Sequence, residues 1–307
     1  MFGEIVQIEF SFPKKKQSIK NLCKKYRWNY NAVISKTGIK NRFVSNKSEN
    51  ALLLAIKACK KIKNIERIDA LVYVTQSPEY PLPTTACIIQ DKLKLSKKVL
   101  AFDINQGCSG FLYGLFTGLT MINSSQINNV LLVCSDTYTK YISNNNKSCS
   151  TIFSDAASAT LISANKRRIT EAFNFETDGS GYKDLIVEES KNPKLFMDGR
   201  KVLMFTMGNV PGLVKKTLKD NKCKMKDIKM FIFHQASKVV LDNLQRILNI
   251  DNEKIYKNFQ SIGNTVSSTI PIALKECLEK KRIKKGDKIL ICGFGVGYSM
   301  AASVVKI

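Results

Sequence analysis

The chain contains a single histidine, His234, which directly follows an apolar run typical of a buried strand. Imidazole is the side chain best suited to exchange protons or hydrogen bonds with reacting groups near neutral pH. Any histidine-dependent chemistry in this protein therefore uses one position. The end of a strand in an α/β sheet is also where ligand-contacting groups usually lie. A lone histidine there is more often structural than catalytic, so other residues must decide its role.

Cys108 lies between a predicted strand and a predicted helix, and Gly107 and Gly110 stand close to it in the sequence. Free backbone N–H groups at the start of a helix, together with the helix dipole, favour a thiolate over a thiol. The glycines permit a tight turn and the close approach of a ligand. This pattern predicts a cysteine nucleophile, whereas a small core residue is the usual role of a reduced cysteine.

Asn264 is the third candidate and occurs in the run Gly263-Asn264-Thr265. An asparagine amide donates hydrogen bonds but cannot relay protons, so its contribution to a reaction would be electrostatic. A plain turn is the alternative explanation of this run.

The composition indicates a folded protein with reduced thiols. The chain has 307 residues, 44% of them hydrophobic, which is enough for two ordinary domains or one large one. No apolar run reaches the ~18 residues of a membrane span, and the first residues lack a secretory signal pattern. The nine cysteines form no CxxC pair. We therefore expect a cytoplasmic location, no disulfide framework and no metal site.

The formal net charge of +24 is the strongest compositional bias. An acidic partner would explain it, and so would a general excess of lysine spread along the chain. Zinc-finger spacing, an RNP-type aromatic strand and a basic region leading into heptads are all missing from the sequence. We therefore expect no nucleic-acid partner.

Continuous apolar runs alternate with helical patterns, which predicts a sheet covered by helices on both faces. Segments 69–76 and 228–235 resemble each other, which suggests an internal duplication. Glycines recur every four residues within segment 109–122, so we expect another backbone close to that helix. The predicted strands cover residues 70–75, 99–104, 129–135, 159–164, 230–233, 288–292 and 300–306. The predicted helices cover residues 51–62, 109–122, 214–221 and 238–249, and a proline-rich loop covers 78–84.

Together, the motifs resemble those of the 3-oxoacyl-acyl carrier protein synthase III family along nearly the whole chain. The resemblance implies an α/β, thiolase-like, five-layered αβαβα fold with two duplicated halves. Residues 1–165 would form the half that carries the nucleophilic cysteine, and residues 166–307 the half that carries the histidine and asparagine. The matching strings are Thr37-Gly38-Ile39, Pro83 to Cys87, Asp103-x-x-x-x-Cys108-Ser109-Gly110-Phe111, Phe153-Ser154-Asp155-Ala156, Asp178-Gly179-Ser180, His234-Gln235-Ala236, Gly263-Asn264-Thr265 with Ser268-x-x-Pro271, and Gly293-Phe294-Gly295-x-Gly297.

The resemblance also implies a reaction. Cys108 would be acylated by an acyl thioester and would then condense with a malonyl group carried by acyl carrier protein. His234 and Asn264 would donate hydrogen bonds to the malonyl thioester carbonyl and stabilise the enolate that forms as carbon dioxide leaves. The backbone N–H groups of Cys108 and Val296 would polarise the acyl carbonyl. No cofactor is expected beyond the substrates, which are an acyl-coenzyme A or acyl-carrier thioester and the malonyl carrier.

Several positions depart from the family pattern. Val296 replaces a third glycine, and Ser237 replaces the asparagine that usually follows His-Gln-Ala. Leu82 replaces a phenylalanine that limits the acyl pocket of the partner subunit in many relatives. The residues that usually hold coenzyme A, a tryptophan and arginines, are replaced by Ala32, Lys36 and Val239. By the resemblance the enzyme would act in fatty-acid synthesis or in a specialised acyl, lipid or glycan pathway. These departures favour a pathway-specific enzyme whose acyl donor need not be coenzyme A.

The remaining expectations concern binding. By the resemblance, the substrate site includes Leu82, Phe294, Gly295, Ser237 and Lys36. Lys238 and Arg246, on the helix after His234, resemble basic positions that meet the acidic carrier protein, although an ordinary solvated face explains them equally well. A homodimer is expected, with the loop around Leu82 reaching the neighbouring subunit.

Three other functions compete with condensation. An acyltransferase would pass the acyl group from Cys108 to an amine or hydroxyl, although the histidine–asparagine pair favours decarboxylation. A papain-like thiol hydrolase has cysteine, histidine and asparagine in the same order, but Ser109 stands where such enzymes have an aromatic residue. A non-catalytic scaffolding subunit is disfavoured by the three intact residues.

Overall fold

Strands formed by the apolar runs alternate with helices along most of the chain. The computed structural model describes residues 2–143, 145–188 and 190–307. The strands are β1 (Phe2–Ser11), β2 (Lys15–Ser18), β3 (Asn41–Val44), β4 (Ala70–Val74), β5 (Leu100–Ile104), β6 (Asn129–Asp136), β7 (Ala156–Asn165), β8 (Phe173–Thr177), β9 (Leu185–Val187), β10 (Leu195–Met197), β11 (Met230–Phe233), β12 (Lys288–Gly295) and β13 (Ser299–Lys306). The helices are α1 (Ile19–Lys25), α2 (Tyr30–Thr37), α3 (Ala51–Cys59), α4 (Thr85–Lys92), α5 (Gly110–Asn123), α6 (Lys147–Ser150), α7 (Gly199–Asp220), α8 (Lys238–Ile247), α9 (Phe259–Ile262) and α10 (Thr269–Glu279).

Two sheets dominate the described part of the chain. The first has the strand order β1-β7-β6-β4-β5, and the second has the order β11-β12-β13-β8. Strand β4 is parallel to both β5 and β6, and β11 is parallel to β12. All strands of the first sheet lie before residue 166 and all strands of the second after it. The division into two domains at that residue stays a prediction.

The helices α5 and α10 pack between the two sheets. One apolar cluster joins Leu115 of α5 and Ile270 of α10 to Val74 and Leu132 of the first sheet and Ile291 of the second. Because α5 is covered on both sides, nearly all its residues are apolar or small. The glycines of α5 meet side chains of the first sheet rather than another backbone. For example, a Cβ at Gly118 would lie 3.1 Å from Ile162 Cδ1.

Two further helical layers cover the outer faces. On the first sheet, a cluster joins Leu54 of α3 and Ile89 of α4 to Leu71. On the second, Leu213 of α7 and Leu241 of α8 pack against strands β11 and β12. The order helix, sheet, helix, sheet, helix confirms the five-layered arrangement.

The predicted elements are confirmed except for one helix. The prediction for β11 coincides with its observed bounds, whereas the helix predicted at 214–221 is only the end of α7, which begins at Gly199. Gly208, Pro211 and Gly212 lie inside α7 and weaken its helical pattern. Within the described residues, no helix is long and apolar enough to cross a membrane, and no cluster of acidic, cysteine and histidine side chains could hold a metal ion.

Candidate active site

Cys108 lies in the short connection between β5 and α5, immediately before the residue that caps the helix. The turn is crowded. A Cβ at Gly107 would lie 2.6 Å from Val296 Cγ1, and one at Gly110 would overlap the side chain of Val74. Only glycine fits at these two positions, so the two glycines that flank Cys108 are explained by close packing.

The end of strand β12 presses against Cys108 from the other half of the chain. A Cβ at Gly293 would lie 2.7 Å from the Cys108 carbonyl oxygen, and one at Gly295 would lie 3.0 Å from Cys108 Sγ. The backbone N–H of the next residue, Val296, lies close enough to the sulfur to lower the pKa of the thiol. Gly295 and Gly297 take the positive φ angles of this run, +159° and +133°. The valine at position 296 is therefore accommodated, and its N–H group faces the sulfur.

Burial controls the ionisation of Cys108. Burial, followed by the nearby Asp136, raises the pKa of the thiol to about 12, although the backbone N–H groups of Val296 and Cys108 act in the opposite direction. The thiolate expected from the helix N-terminus is therefore wrong for the resting protein. Burial removes the water that stabilises the thiolate. Two N–H groups and the helix dipole do not compensate for this loss of hydration.

His234 follows β11 and is almost completely buried. Its backbone N–H continues the parallel pairing with β12 by donating to Cys292 O at 2.8 Å. The ring meets Phe294 edge-on, with the two centroids 5.6 Å apart. Burial lowers the pKa of the imidazole to about 3, so the ring is neutral at physiological pH.

Both ring nitrogens of His234 have polar neighbours. Nδ1 lies 2.7 Å from Oγ1 of Thr269, the first residue of α10, and Nε2 lies 3.3 Å from Nδ2 of Asn264. The Val266 N–H donates to Asn264 Oδ1 at 2.9 Å, which turns the Nδ2 group towards the histidine. Asn264 is thus oriented as a hydrogen-bond donor.

The backbone of Asn264 is joined to the N-terminal half of the chain. Its N–H donates to Ile152 O at 3.0 Å, and its carbonyl accepts from Ser154 N–H at 2.8 Å. Gly263, with φ of +75°, makes the turn, and a Cβ there would lie 2.9 Å from Ser154 Cβ. The Phe153-Ser154-Asp155-Ala156 string noted in the sequence therefore supports the asparagine.

The three predicted residues come together at one place. His234 and Asn264 are in direct contact, and the segment 294–296 connects them to Cys108, because Phe294 contacts His234 and Gly295 lies against the sulfur. The site contains a neutral thiol, a neutral imidazole and an amide, surrounded by apolar side chains such as Phe153 and Val266.

Of the predicted binding residues, Phe294 and Gly295 lie beside His234 and Cys108, and the others lie further out. Leu82 is 82% exposed on the loop before α4. Ser237 is buried and directly precedes α8. Helix α2, which carries Lys36, packs against α8, since a Cβ at Gly38 would lie 2.7 Å from Lys238 Cβ. Lys238 is ion-paired to Asp242, and Arg246 donates to Asn243 Oδ1 at 2.9 Å. The structure thus brings α2, which carries Lys36, to the start of α8, which follows His234 in the chain.

Two polar residues at this site were not predicted from the sequence. Thr269 contacts the histidine, and Asp136, at the end of β6, accepts hydrogen bonds from Gln76 N–H at 2.8 Å and from Ser267. Burial raises the pKa of Asp136 to about 6. Neither residue belongs to a motif, and both reach the site only through tertiary contacts.

Comparison with known proteins gives a consistent result. Residues 102–179 match the family model "3-Oxoacyl-[acyl-carrier-protein (ACP)] synthase III", and residues 218–307 match the model of its C-terminal part. The chain is 33% identical over 291 residues to a beta-ketoacyl-[acyl-carrier-protein] synthase III of Clostridium perfringens, with 89% of each chain covered. It is 30% identical over 292 residues to the enzyme of the same description from Synechocystis, covering 89% of this chain and 88% of the relative.

Solved structures agree with the sequence relatives. A crystal structure of a 3-oxoacyl-(acyl-carrier-protein) synthase III superposes over all of both chains with a TM-score of 0.96 and 31% identity. The corresponding protein of Aquifex aeolicus superposes with a TM-score of 0.94 and 27% identity, covering 99% of this chain and all of the other.

Proposed function

Since the chain belongs to the 3-oxoacyl-[acyl-carrier-protein] synthase III family and has its thiolase-like fold, we propose that it condenses an acyl thioester with malonyl-acyl carrier protein in fatty acid synthesis. The observation that carries this proposal is the meeting of Cys108 with two side chains, His234 and Asn264, at one buried place. A nucleophile and two hydrogen-bond donors are the groups that acylation followed by decarboxylation requires.

Acylation uses the N-terminal half. Cys108 Sγ attacks the carbonyl carbon of the donor thioester, a new S–C bond forms, and the donor S–C bond breaks. Cys108 loses its thiol proton in this step, and the departing donor thiolate takes up one proton. The backbone N–H groups of Cys108 and Val296, which lie beside the sulfur, stabilise the oxyanion of the tetrahedral intermediate.

Condensation uses the C-terminal half. The C–C bond of the malonyl carboxylate breaks, carbon dioxide leaves, and the electron pair forms an enolate on the carrier thioester. His234 and Asn264 donate hydrogen bonds to the enolate oxygen, a contribution of about 3 kcal/mol for each donor. The enolate carbon then attacks the acyl-Cys108 carbonyl, the S–C bond to Cys108 breaks, and the released thiolate takes one proton from solvent.

The ionisation of the site argues against a papain-like hydrolase. Such an enzyme uses a cysteine with a lowered pKa beside an imidazolium. Here burial raises the pKa of Cys108 and lowers that of His234, so both groups are neutral. A neutral histidine suits a hydrogen-bond donor to an enolate. An acyltransferase that delivers the acyl group to an amine or hydroxyl remains the second candidate.

The acyl carrier protein is the proposed partner of the surface that includes Lys238 and Arg246. The net charge of +24 favours encounter with an acidic protein. Arg246 has no carboxylate partner among the described residues, whereas Lys238 shares Asp242 with Lys257. Arg246 is therefore the stronger candidate for a contact with the carrier.

We further propose a homodimer in the cytoplasm. Strand β5 forms an edge of the first sheet, with Leu100 51% exposed, and the exposed Leu82 loop precedes the neighbouring helix α4. A second copy that pairs at this edge would cover both apolar residues. All nine cysteines are unpaired, which supports a reducing compartment.

The acyl donor of this enzyme is a separate question, because Ala32, Lys36 and Val239 replace the residues that usually hold coenzyme A in the family. Intact-mass analysis after incubation with panels of acyl-coenzyme A and acyl-carrier thioesters tests this directly. We expect a single acyl addition with carrier thioesters, absent from a Cys108→Ala control. The absence of any addition to the unaltered protein across both panels would contradict the proposed acylation.

A further inference from the structure

Thr269 makes the shortest polar contact of the only histidine in the chain. Its Oγ1 lies 2.7 Å from His234 Nδ1, and the side chain is completely buried at the start of α10. The proposed function assigns no task to this hydroxyl. The contact matters because the partners of the two imidazole nitrogens together determine which nitrogen carries the proton.

The Thr269 hydroxyl has one hydrogen and two possible acceptors. Val266 O lies 3.0 Å from Oγ1, and His234 Nδ1 lies on the other side. The Val266 carbonyl also accepts the backbone N–H of Thr269, so it stays hydrogen-bonded whichever way the hydroxyl points. The hydroxyl is therefore free to turn. It either accepts from a protonated Nδ1 or donates to a bare Nδ1.

The opposite nitrogen decides between these two states. Asn264 Nδ2 faces His234 Nε2 at 3.3 Å, and the amide cannot flip without losing the bond from Val266 N–H. With the site empty, the amide N–H needs an acceptor, which a bare Nε2 provides. When a carbonyl oxygen enters between the two groups, both nitrogens must donate to it, so Nε2 must carry the hydrogen.

The backbone of Val266 links the two contacts. This β-branched residue has φ of +53°, a conformation that such side chains rarely adopt. In this conformation its N–H fixes Asn264 while its carbonyl stands beside the Thr269 hydroxyl. One unusual peptide conformation thus orients the partners of both imidazole nitrogens.

We propose that Thr269 is a positioning residue that lets His234 change tautomer. With the site empty, Nδ1–H donates to Thr269, and the hydroxyl donates to Val266 O. When a substrate carbonyl binds, the hydroxyl turns to donate to Nδ1, and Nε2–H donates to the substrate. One proton leaves Nδ1 and one binds Nε2 by exchange with water, so the charge is unchanged. The identity of the carbonyl rests on the proposed function.

The single histidine makes the tautomer directly measurable. Protein labelled with ¹⁵N-histidine and carrying no histidine tag gives one pair of imidazole nitrogen resonances. We expect a pyrrole-type Nδ1 and a pyridine-type Nε2 in the free protein. Addition of a malonyl-pantetheine amide, in which N–H replaces the thioester sulfur, should exchange the two types. A pyrrole-type Nε2 in the free protein, or unchanged types in protein saturated with the amide, would overturn the proposal.

Substitutions test the hydroxyl itself. We expect Thr269→Val to lower carbon dioxide release from malonyl carrier by about tenfold to a hundredfold, to leave acylation of Cys108 unchanged, and to lose the tautomer exchange. Thr269→Ser should restore all three properties. Thr206→Val is the matched control, because Thr206 is a buried threonine of α7 whose hydroxyl donates to Val202 O at 2.7 Å.

The outcomes separate this proposal from the proposed function. Unchanged carbon dioxide release in Thr269→Val, or a loss that Thr269→Ser does not restore, would overturn the role of the hydroxyl. If the unaltered protein released no carbon dioxide from malonyl carrier, the proposed function would fail instead. The resonances of the free protein would still report the tautomer by themselves.

Discussion

Two strand–turn–helix units carry the chemistry, and they hold their functional residues in different ways. In the first, β5 leads to Cys108 and α5; in the second, β11 leads to His234 and α8. Helix α5 is buried between two sheets, whereas α8 buries one side and exposes the other. Backbone packing against glycines positions Cys108, but side-chain hydrogen bonds position His234. The nucleophile is thus held by shape and the donor by polar contacts.

Burial shifts the pKa values of the functional groups in the two units in opposite directions. It raises the pKa of Cys108 to about 12 and lowers that of His234 to about 3. Both groups are therefore neutral, and the resting site holds no thiolate–imidazolium pair. The charge needed for reaction therefore appears only when substrate is bound.

Loss of the Asn264 amide should have the largest effect, and the effect should be limited to the decarboxylation step. We expect Asn264→Ala to lower carbon dioxide release from malonyl carrier by about 10² to 10³, because the enolate loses one of two donors. Acylation of Cys108, read by intact mass, should stay within about twofold. Asn209→Ala, which removes an amide from α7 that donates to Phe205 O, is the control. Equal losses in both steps would show that the two units are not separable.

Crowding the nucleophile should instead slow the acylation step. In Gly295→Ala, the new Cβ would lie 2.9 Å from Cys108 Cβ and 3.0 Å from Sγ, at a φ of +159°. We expect the rate of acylation to fall by about 10², since small displacements of a reacting atom are costly. Gly208→Ala, where a Cβ meets nothing within 4 Å, should acylate at the normal rate. A normal acylation rate in Gly295→Ala would show that packing does not position the sulfur.

The buried neutral histidine should make stability depend on pH. The pKa of His234 is about 3 in the folded protein and about 6.5 in an unfolded chain, so between these values only the unfolded chain binds the proton. The contribution of His234 to the free energy of unfolding should fall by about 1.4 kcal/mol for each pH unit below 6.5. Urea titrations of the unaltered protein and His234→Gln from pH 7.5 to 4.5 measure the difference. Parallel curves would contradict the assigned burial.

The same titration includes an opposing contribution from Asp136, at the end of β6. Asp136 has a folded pKa of about 6, above the ordinary value of 3.8, so the folded protein binds the proton more tightly. Its contribution to stability is present at low pH and is lost as the pH rises through about 6. Because both curves contain this contribution, their difference isolates His234.

The smallest expected effect concerns the exposed face of α8. We expect Arg246→Ala to raise KM for malonyl carrier severalfold, more so at low salt, and to leave kcat unchanged, because surface charges mainly affect encounter. Lys238→Ala should have a weaker effect, since Lys238 is already paired to Asp242. An unchanged KM in both variants would contradict the proposed carrier surface.

The predictable parts of the fold were those with a local signature. Strand β11 was predicted to the residue because a buried parallel strand is a continuous apolar run. Only the C-terminal end of helix α7 was predicted, because Gly208, Pro211 and Gly212 interrupt its pattern. Cys108, His234 and Asn264 stand in recognisable motifs, and the structure places them together.

The properties that depend on tertiary contacts could not be predicted. The start of a helix is visible in the sequence, but the burial that keeps Cys108 protonated is not. Likewise, Thr269 lies 35 residues from His234 in the chain and acts through one hydroxyl contact. The sequence shows which residue types are present, whereas their protonation depends on what surrounds them.

The most direct test of the two-unit account uses His234→Ala, with both steps measured in one sample. Incubation with an acyl thioester and malonyl carrier, followed by intact-mass analysis and carbon dioxide measurement, reads each unit separately. We expect normal formation of acyl-Cys108 and a loss of carbon dioxide release of about 10² or more. Carbon dioxide release at the rate of the unaltered protein would contradict the role assigned to the only histidine in the chain.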